Sequence, residues 1–291
     1  MTENNEITDY ITFPKTFKEY RWYKPILVFI IGFIIMIILQ GILMIAFAAI
    51  FGISAPSLAS GGYEMLNNEW GDIFTNLGII IMIPSLYIAT KIVRDRPFSS
   101  YSSSRGGWNF KLYLKALIIP FIALLVYNGL ETAIKGPQGT FHFSLVFLIV
   151  SIILIPLQCI AEEYVYRGLI MQTFGSWFKI PVVAILLQSI IFTVSHGYNS
   201  FGLVEVFVSG IIFGFLTWKT NGIEVSSAMH TANNFAISLF VMLGLKSATS
   251  APQLNDVALS IIFDIILCII IYYIGRKTNW FGEIEETPQN I

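Results

Sequence analysis

The sequence contains few charged residues. Only 12% of its 291 residues are Asp, Glu, Lys or Arg, whereas 55% are hydrophobic. Soluble domains carry roughly twice that charged fraction, so the chain is predicted to be an integral membrane protein. Its net charge of −1 provides no strongly basic surface, and we therefore expect no nucleic-acid partner.

Cysteine is equally scarce. Cys159 and Cys268 both lie in apolar stretches, which argues against a disulfide framework. No His-Glu-x-x-His sequence occurs, so the common zinc-binding helix signal is absent. The first 25 residues hold four basic groups and no apolar core, so they are not expected to form a cleavable signal peptide. We find no internal repeat and no stretch that predicts a second, soluble domain.

Long apolar runs dominate what is present. Each predicted membrane span is an apolar stretch bounded by polar or turn residues. An all-α, polytopic membrane protein with about eight transmembrane helices is therefore predicted, and the spans are Ile26–Gly52, Ile73–Thr90, Leu112–Leu130, Phe143–Phe174, Ile180–His196, Leu203–Trp218, Val225–Leu245 and Val257–Ile274.

Basic residues predict the orientation of these spans. Only Lys135 and Lys246 fall in the loops opposite the termini, and the other fifteen basic residues lie on the terminus side or within helices near it. The positive-inside rule then places both termini in the cytoplasm. The predicted organisation is a cytoplasmic interfacial segment (1–25), three transmembrane helices (26–142), a catalytic helical core (143–245), and a last transmembrane helix with a polar tail (246–291).

Two adjacent acids stand in the fourth span. Glu162 and Glu163 follow nineteen uncharged residues, 143–161, and a carboxylate in a bilayer helix costs on the order of 2.5–3.5 kcal/mol. Glu163 and Arg167 are four residues apart, which predicts an ion pair on one helix face. Glu162 lies about 100° around the helix from Glu163, so it has no such partner and is predicted to be the functional acid.

Further polar groups lie in the next apolar helices. His196 ends the fifth span, and His230 and Asn234 share one face of the seventh. Counted from the turn near Phe178, Glu162 and His196 are roughly 24 and 27 Å deep along their helices. We therefore expect these groups to meet at one site within the membrane. Asp264, in the middle of the eighth span, is a further embedded charge without an assigned role.

A carboxylate, two histidines and an amide suit two chemistries. In the first, Glu162 is a general base that activates water, and His196 or the His230 and Asn234 pair stabilises the oxyanion of an attacked amide. In the second, both histidines and a glutamate hold a metal such as zinc, which activates the water. The spacing alone leaves both open.

The ordered set Glu-Glu-x-x-x-Arg (162, 163, 167), Phe-x-x-x-His (192, 196) and His-x-x-x-Asn (230, 234) resembles the CPBP family. These are the CAAX-protease and bacteriocin-processing intramembrane endopeptidases, also called the Abi family, which are related to the type II CAAX prenyl endopeptidase. The resemblance implies that Glu162 activates water with help from His196, that His230 and Asn234 form the oxyanion site, and that Glu163 and Arg167 support them. A metal-free reaction without cofactor is the preferred interpretation.

The expected function is therefore hydrolysis of a peptide bond in a hydrophobic or lipidated peptide or protein at the cell membrane, in contact with membrane lipid. The substrate would be a CAAX-type protein, a peptide pheromone or a bacteriocin precursor. Two other hypotheses belong to different classes. One is a non-catalytic protein of this fold that acts in bacteriocin immunity or as a scaffold. The other is a proton-coupled transporter, which the missing repeat symmetry disfavours.

Overall fold

The computed structural model describes residues 9–54, 56–57, 68–247 and 253–281. Helices dominate these residues, which contain no strand and only one isolated bridge, between Ser103 and Gly222. After a short 3-10 turn, Phe13–Thr16, the helices are α1 (Lys24–Phe51), α2 (Asn68–Ile80), α3 (Met82–Val93), α4 (Ser99–Ser102), α5 (Phe110–Lys135), α6 (Leu145–Glu163), a π-helix (Tyr164–Met171), α7 (Gln172–Phe178), α8 (Pro181–Val194), α9 (Ser200–Thr220), α10 (Glu224–Met242) and α11 (Leu254–Lys277).

Every predicted span corresponds to helix, which confirms a polytopic all-α membrane protein. Within the described ranges, six helices are long and apolar enough to cross a membrane: Lys24–Phe51, Glu69–Val93, Phe110–Lys135, Leu145–Phe178, Ser200–Thr220 and Leu254–Lys277. The other two predicted spans differ from these. α8 has 14 residues, about 21 Å, which is less than a bilayer core of about 30 Å. α10 carries many polar side chains, and the protein itself encloses them.

The second predicted span is a helix broken at Ile81. α2 ends at Ile80 and α3 begins at Met82. Pro84 lies in the first turn of α3 and has no backbone N–H to donate to the carbonyl of Ile80, so the regular ladder is interrupted there.

The fourth predicted span is longer than expected and changes its helical type. Ser144 caps the N-terminus of α6, and its side chain accepts a hydrogen bond from Phe147 N. It ends at Glu163, the chain continues as the π-helix and α7, and the whole segment stops at Phe178 and not at Phe174. π-helical turns are rare and frequently occur at functional sites. The predicted acids therefore lie where the backbone changes from α to π geometry.

α10 occupies the centre of the molecule and packs against α5, α6 and α9. Its first nine residues, 224–232, are all buried. α1 is the opposite case, since most of its isoleucines are exposed and its apolar surface suits lipid. The polar helix is thus surrounded by protein, while the most apolar helix lies at the edge.

The segment before α1 docks into the protein near the π-helix. Tyr10 and Ile11 are buried, and the Tyr10 hydroxyl donates to the carbonyl of Tyr101 at 2.6 Å. A Cβ at Gly175 would lie 2.5 Å from the Ile11 carbonyl oxygen, so only glycine permits this approach. Residues 1–8 of the predicted interfacial segment and 282–291 of the predicted tail lie outside the described residues.

The loop before α5 also packs against the π-helix. Arg96 donates to the carbonyl of Gly168 at 3.2 Å, and Gln172 donates to the carbonyl of Ser100. A Cβ at Gly168 would lie 2.7 Å from the Tyr101 carbonyl oxygen. The loop and the π-helix therefore pack backbone against backbone, directly behind Arg167.

Candidate functional site

Glu163 and Arg167 form the predicted ion pair, which is confirmed. Arg167 Nη1 lies 2.8 Å from Glu163 Oε1, and neither side chain is exposed. The guanidinium also lies 4.4 Å from the ring centroid of Phe192 and donates to the carbonyl of Gly210. The buried Arg167 cation compensates the charge of the Glu163 carboxylate and fixes its position. Of the two acids, Glu163 therefore has the structural role.

His230 lies between the two acids. Its Nδ1 is 3.1 Å from Glu163 Oε1 and its Nε2 is 3.4 Å from Glu162 Oε2. The ring stacks on Phe213, with centroids 5.0 Å apart and planes at 25°. The structure thus brings His230 to the acids, and it turns both ring nitrogens toward them, which the sequence did not indicate.

Glu162 is constrained far less than its neighbour. It is 7% exposed, and His230 supplies its one ion-pair contact among the described residues. Tyr166, four residues later, donates its hydroxyl to Ser195 and not to the acid. Glu162 is therefore held by fewer contacts than Glu163, which the Arg167 pair fixes.

Asn234 joins the site through a residue to which the sequence gave no role. Asn234 Nδ2 donates to Gln158 Oε1 at 3.1 Å. Gln158 precedes Glu162 by one helical turn, and Asn234 follows His230 by one turn. α6 and α10 run antiparallel there, so Gln158 faces Asn234 and Glu162 faces His230. An uncharged polar residue at i−4 from the acid, in an apolar span, was the signal that could have identified Gln158.

His196 is the predicted site residue that lies farthest out. α8 ends at Val194, so His196 lies in the following turn, and the prediction of helix through His196 is wrong. Its Nδ1 lies 2.7 Å from the Phe192 carbonyl oxygen. Within the described ranges it makes no ion pair with Glu162, which pairs with His230. Phe192 connects the two histidines, since its ring centroid is 4.6 Å from His196 and 6.3 Å from His230.

An apolar cavity lies beside the site, between α1, α3, the π-helix and α8. Its volume is about 330 Å³. Tyr166 and Ser195, which are hydrogen-bonded to each other at 2.7 Å, form part of its wall, and Val28, Phe33 and Leu169 contribute apolar surface. Tyr166 follows Glu162 by one helical turn and Ser195 precedes His196, so the cavity wall includes close sequence neighbours of both residues.

The donor set does not fit a metal in this arrangement. In the part of the chain that the structure describes, no group of three or more His, Cys, Asp or Glu side chains is placed to hold an ion. His230 directs both nitrogens at carboxylates, and His196 Nδ1 faces a backbone carbonyl. The residues therefore offer a carboxylate and a histidine for acid–base chemistry.

Asp264 lies apart from these groups. It lines a polar cavity of about 450 Å³ with Glu205, whose carboxylate accepts a hydrogen bond from Ser260 at 2.5 Å. Lys135 and Lys246 line the same cavity, so it faces the loops opposite the termini. Arg167 contacts Glu163, Gly210 and two phenylalanines, and no ion pair joins it to Asp264 within the described residues.

Fold and site together define a multi-pass helical membrane protein with a buried acid–histidine cluster. Residues 142–236 match the sequence model of the family described as type II CAAX prenyl endopeptidase Rce1-like. The matched region contains all six predicted site residues. It confirms the resemblance to the CPBP family that the ordered motifs indicated.

A relative from Bacillus subtilis (strain 168) is described as the uncharacterized protein YyaK. It is 26% identical over 174 residues, which cover 56% of this chain and 58% of the relative's length. The similarity therefore spans little more than half of either protein. No solved structure matches the chain.

Proposed function

We propose that the protein is an intramembrane endopeptidase in which Glu162 activates water for hydrolysis of a peptide bond. The unequal environment of the two acids carries this proposal. Glu163 is fixed by Arg167 and His230, whereas Glu162 forms one ion-pair contact within the described part of the chain, with His230 Nε2 at 3.4 Å. Adjacent carboxylates with such different environments suit different roles, one as a support and the other as a general base. The family match over residues 142–236 supports the same reaction.

In this proposal each neighbour of Glu162 has a defined task. His230 orients the Glu162 carboxylate through Nε2 while Glu163 fixes the opposite side of the ring through Nδ1. The Glu163 and Arg167 pair holds that arrangement rigid. His196, next to the cavity wall at Ser195, is placed to act on the substrate side, and Asn234 contributes an amide for the carbonyl that is attacked.

The proposed substrate is a peptide or protein with a hydrophobic or lipidated segment. The apolar cavity beside Tyr166 and Ser195 provides about 330 Å³ for such a segment, and the helices around it face lipid. A CAAX-type protein, a pheromone precursor and a bacteriocin precursor all have the required apolar character. The matched family description names a prenyl endopeptidase, which favours the lipidated class among them.

The same proposal includes a location and an orientation. The distribution of Lys and Arg supports both termini on the cytoplasmic side of the cell membrane. Glu162 then lies within the bilayer, and the apolar cavity opens toward lipid, so a membrane-anchored substrate reaches the site laterally.

We further propose that the reaction uses no metal or other cofactor, because a carboxylate and a histidine suffice for general base catalysis.

The test uses purified full-length protein in lipid nanodiscs. Wild type and Glu162→Gln are incubated with matched peptides, prenylated and unmodified, and the products are read by mass spectrometry. Glu205→Gln is the control, because it removes another membrane-embedded acid that lies outside the site. We expect cleavage by wild type and Glu205→Gln, with a loss of at least 10²-fold in Glu162→Gln.

A second arm repeats the assay after treatment with a strong chelator. Cleavage that survives chelation supports the metal-free reaction, and loss with rescue by zinc contradicts it. Cleavage at the wild-type rate by Glu162→Gln contradicts the general-base assignment. If wild type cleaves no member of the panel, the peptidase proposal fails for these substrate classes, and the non-catalytic hypothesis takes its place.

A further inference from the structure

The polar cavity of about 450 Å³ has more acidic than basic side chains in its wall. Near the loops opposite the termini, two lysines and two acids of this wall neutralise one another through ion pairs. The members of these pairs are Lys135, Lys246, Glu131 and Asp256. Two further carboxylates line the cavity, those of Glu205 and Asp264. No ion pair within the described residues compensates either of them.

Glu205 and Asp264 differ in their contacts. Glu205 Oε1 accepts a hydrogen bond from the Ser260 hydroxyl, whereas Asp264 forms no hydrogen bond and no ion pair with the described residues. Asp264 lies ten residues beyond Leu254, the first residue of α11, which is about 15 Å along the helix. A carboxylate embedded at such a depth is costly and marks a functional site by default. Asp264 is therefore the acid of this cavity that most needs a cationic partner.

Asn128 contributes a second acceptor to the same wall. It is 2% exposed and lines the cavity, and its Nδ2 donates to the carbonyl of Leu124 at 2.7 Å. Its Oδ1 has no hydrogen-bond partner in the part of the chain that the structure describes. A buried acceptor without a donor costs on the order of 1–3 kcal/mol. The wall therefore presents a carboxylate and an amide oxygen that both require donors.

Two aromatic rings join the helices that carry these acceptors. Tyr127 precedes Asn128 on α5, and Phe263 precedes Asp264 on α11. The centroids of the two rings lie 4.4 Å apart, and both residues line the cavity. An ammonium group fits this surface, because it carries three N–H donors and is attracted to aromatic faces. The cavity volume also lies within the range of ligand-binding pockets.

The polar cavity adjoins the proposed catalytic site through α10. Asn233 lines the cavity, and its Nδ2 donates to Asn234 Oδ1 at 3.1 Å. The apolar cavity, by contrast, has Tyr166 and Ser195 in its wall. Residues bonded to the site or adjacent to it in sequence therefore line two chemically different cavities, one apolar and one polar.

Hydrolysis of a peptide bond creates one new cation. Water adds across the C–N bond, the carbonyl side becomes a carboxylate, and the acid proton passes to the released amine, because the pKa of an α-amino group is about 8. From these observations we propose that Asp264 and Asn128 bind the N-terminal ammonium of the C-terminal fragment that cleavage releases. The inference rests on the proposed peptidase function and adds a binding site for its polar product.

The test measures binding by equilibrium dialysis with the full-length protein in phosphatidylcholine nanodiscs. The probes are trialanine amide, which has an N-terminal ammonium, and its N-acetylated form, which has none. We expect wild type to bind the free amine at least about 10-fold more tightly than the acetylated peptide. Asp264→Asn should reduce this preference to less than about 3-fold, and Asp264→Glu, which restores the charge, should recover part of it. Asp72→Asn is the matched control, because Asp72 is an exposed acid of α2 outside the cavity.

The same probes are then added to the peptide-cleavage assay. The free amine should inhibit wild type at a concentration about 10-fold lower than the acetylated peptide requires. Equal binding of the two probes, or an undiminished preference in Asp264→Asn, overturns the product site, while Glu162-dependent cleavage leaves the peptidase function standing. Absence of Glu162-dependent cleavage by the wild-type protein overturns both.

A last arm separates a product from a lipid as the source of the ammonium group. Phosphatidylethanolamine, whose headgroup carries a primary ammonium, is added to the nanodiscs. We expect the binding of trialanine amide to remain unchanged. Displacement of the peptide by this lipid would show that the cavity binds a headgroup, and the assignment to a product would be overturned.

Discussion

His230 Nε2 lies 3.4 Å from Glu162 Oε2, and the other nitrogen of the same ring lies 3.1 Å from Glu163. One imidazole therefore couples the free acid to the fixed acid. The ion pair with Arg167 holds Glu163, Glu163 holds His230, and His230 holds Glu162. Displacement of any one of these groups is expected to move the next.

Replacement of His230 tests this coupling. His230→Ala removes both contacts, and we expect kcat to fall about 10²–10⁴-fold, the range typical for a group that takes part in acid–base chemistry. His142→Ala is the matched control, because this histidine lies in a loop outside the site and its ring nitrogen Nδ1 contacts the carbonyl of Thr140. Peptide cleavage is the measurement. Equal activities for the two variants would contradict a role for His230.

Replacement of Arg167 tests the support beneath the site. Arg167→Ala leaves Glu163 buried without its cation, and we expect a loss of about 3 kcal/mol in the free energy of unfolding. Lys135→Ala is the comparison. Lys135 pairs with Glu131 and Asp256 in a partly exposed position, where such pairs contribute about 1 kcal/mol or less. Thermal unfolding in detergent compares the stability losses of Arg167→Ala and Lys135→Ala. Equal losses in the two variants would show that Glu163 is not charged in the folded protein.

Gly168 tests the contact between the π-helix and the loop before α5. A Cβ there would meet the Tyr101 carbonyl oxygen at 2.7 Å, so Gly168→Ala must displace backbone. We expect a stability loss of about 1–3 kcal/mol and lower peptidase activity, because the π-helix carries Arg167. Gly129→Ala in α5 has no atom within 4 Å of the added Cβ. That control should retain wild-type activity and stability, and a neutral Gly168→Ala would refute the close packing.

Tyr10 gives a prediction on pH. Burial raises the pKa of its hydroxyl well above the usual value of 10.0, so the folded protein keeps this proton where the unfolded chain loses it. The stabilisation is complete below pH 10 and declines as pH rises from there toward the folded pKa. Tyr10→Phe should cost about 1 kcal/mol at neutral pH and should reduce the loss of stability at alkaline pH. Unfolding temperatures measured from pH 8 to 11 would show an unchanged slope if Tyr10 is exposed.

Local patterns in the sequence determined the helices and one contact of the site. Apolar runs bounded by turn residues located all eight helical regions, because a bilayer core requires long uncharged helices. The i,i+4 spacing predicted the Glu163 and Arg167 pair, since that contact lies within a single helical segment. The break at Ile81 was missed although Pro84 marks it in the sequence. The π-helix and the end of α8 before His196 were missed because they depend on how neighbouring segments pack.

The contacts between helices were decided by the tertiary structure. The sequence listed His230, Asn234 and Glu162 as candidates, but it did not reveal that His230 lies between both acids or that Gln158 meets Asn234. It also gave no sign that Tyr10 docks behind the π-helix. The physical reason is that lipid-facing side chains are as apolar as buried ones, so hydrophobic periodicity does not tell which face of a membrane helix turns inward. The rotation and depth of each helix follow from packing, and packing places Gln158 beside Glu162 and Asn234.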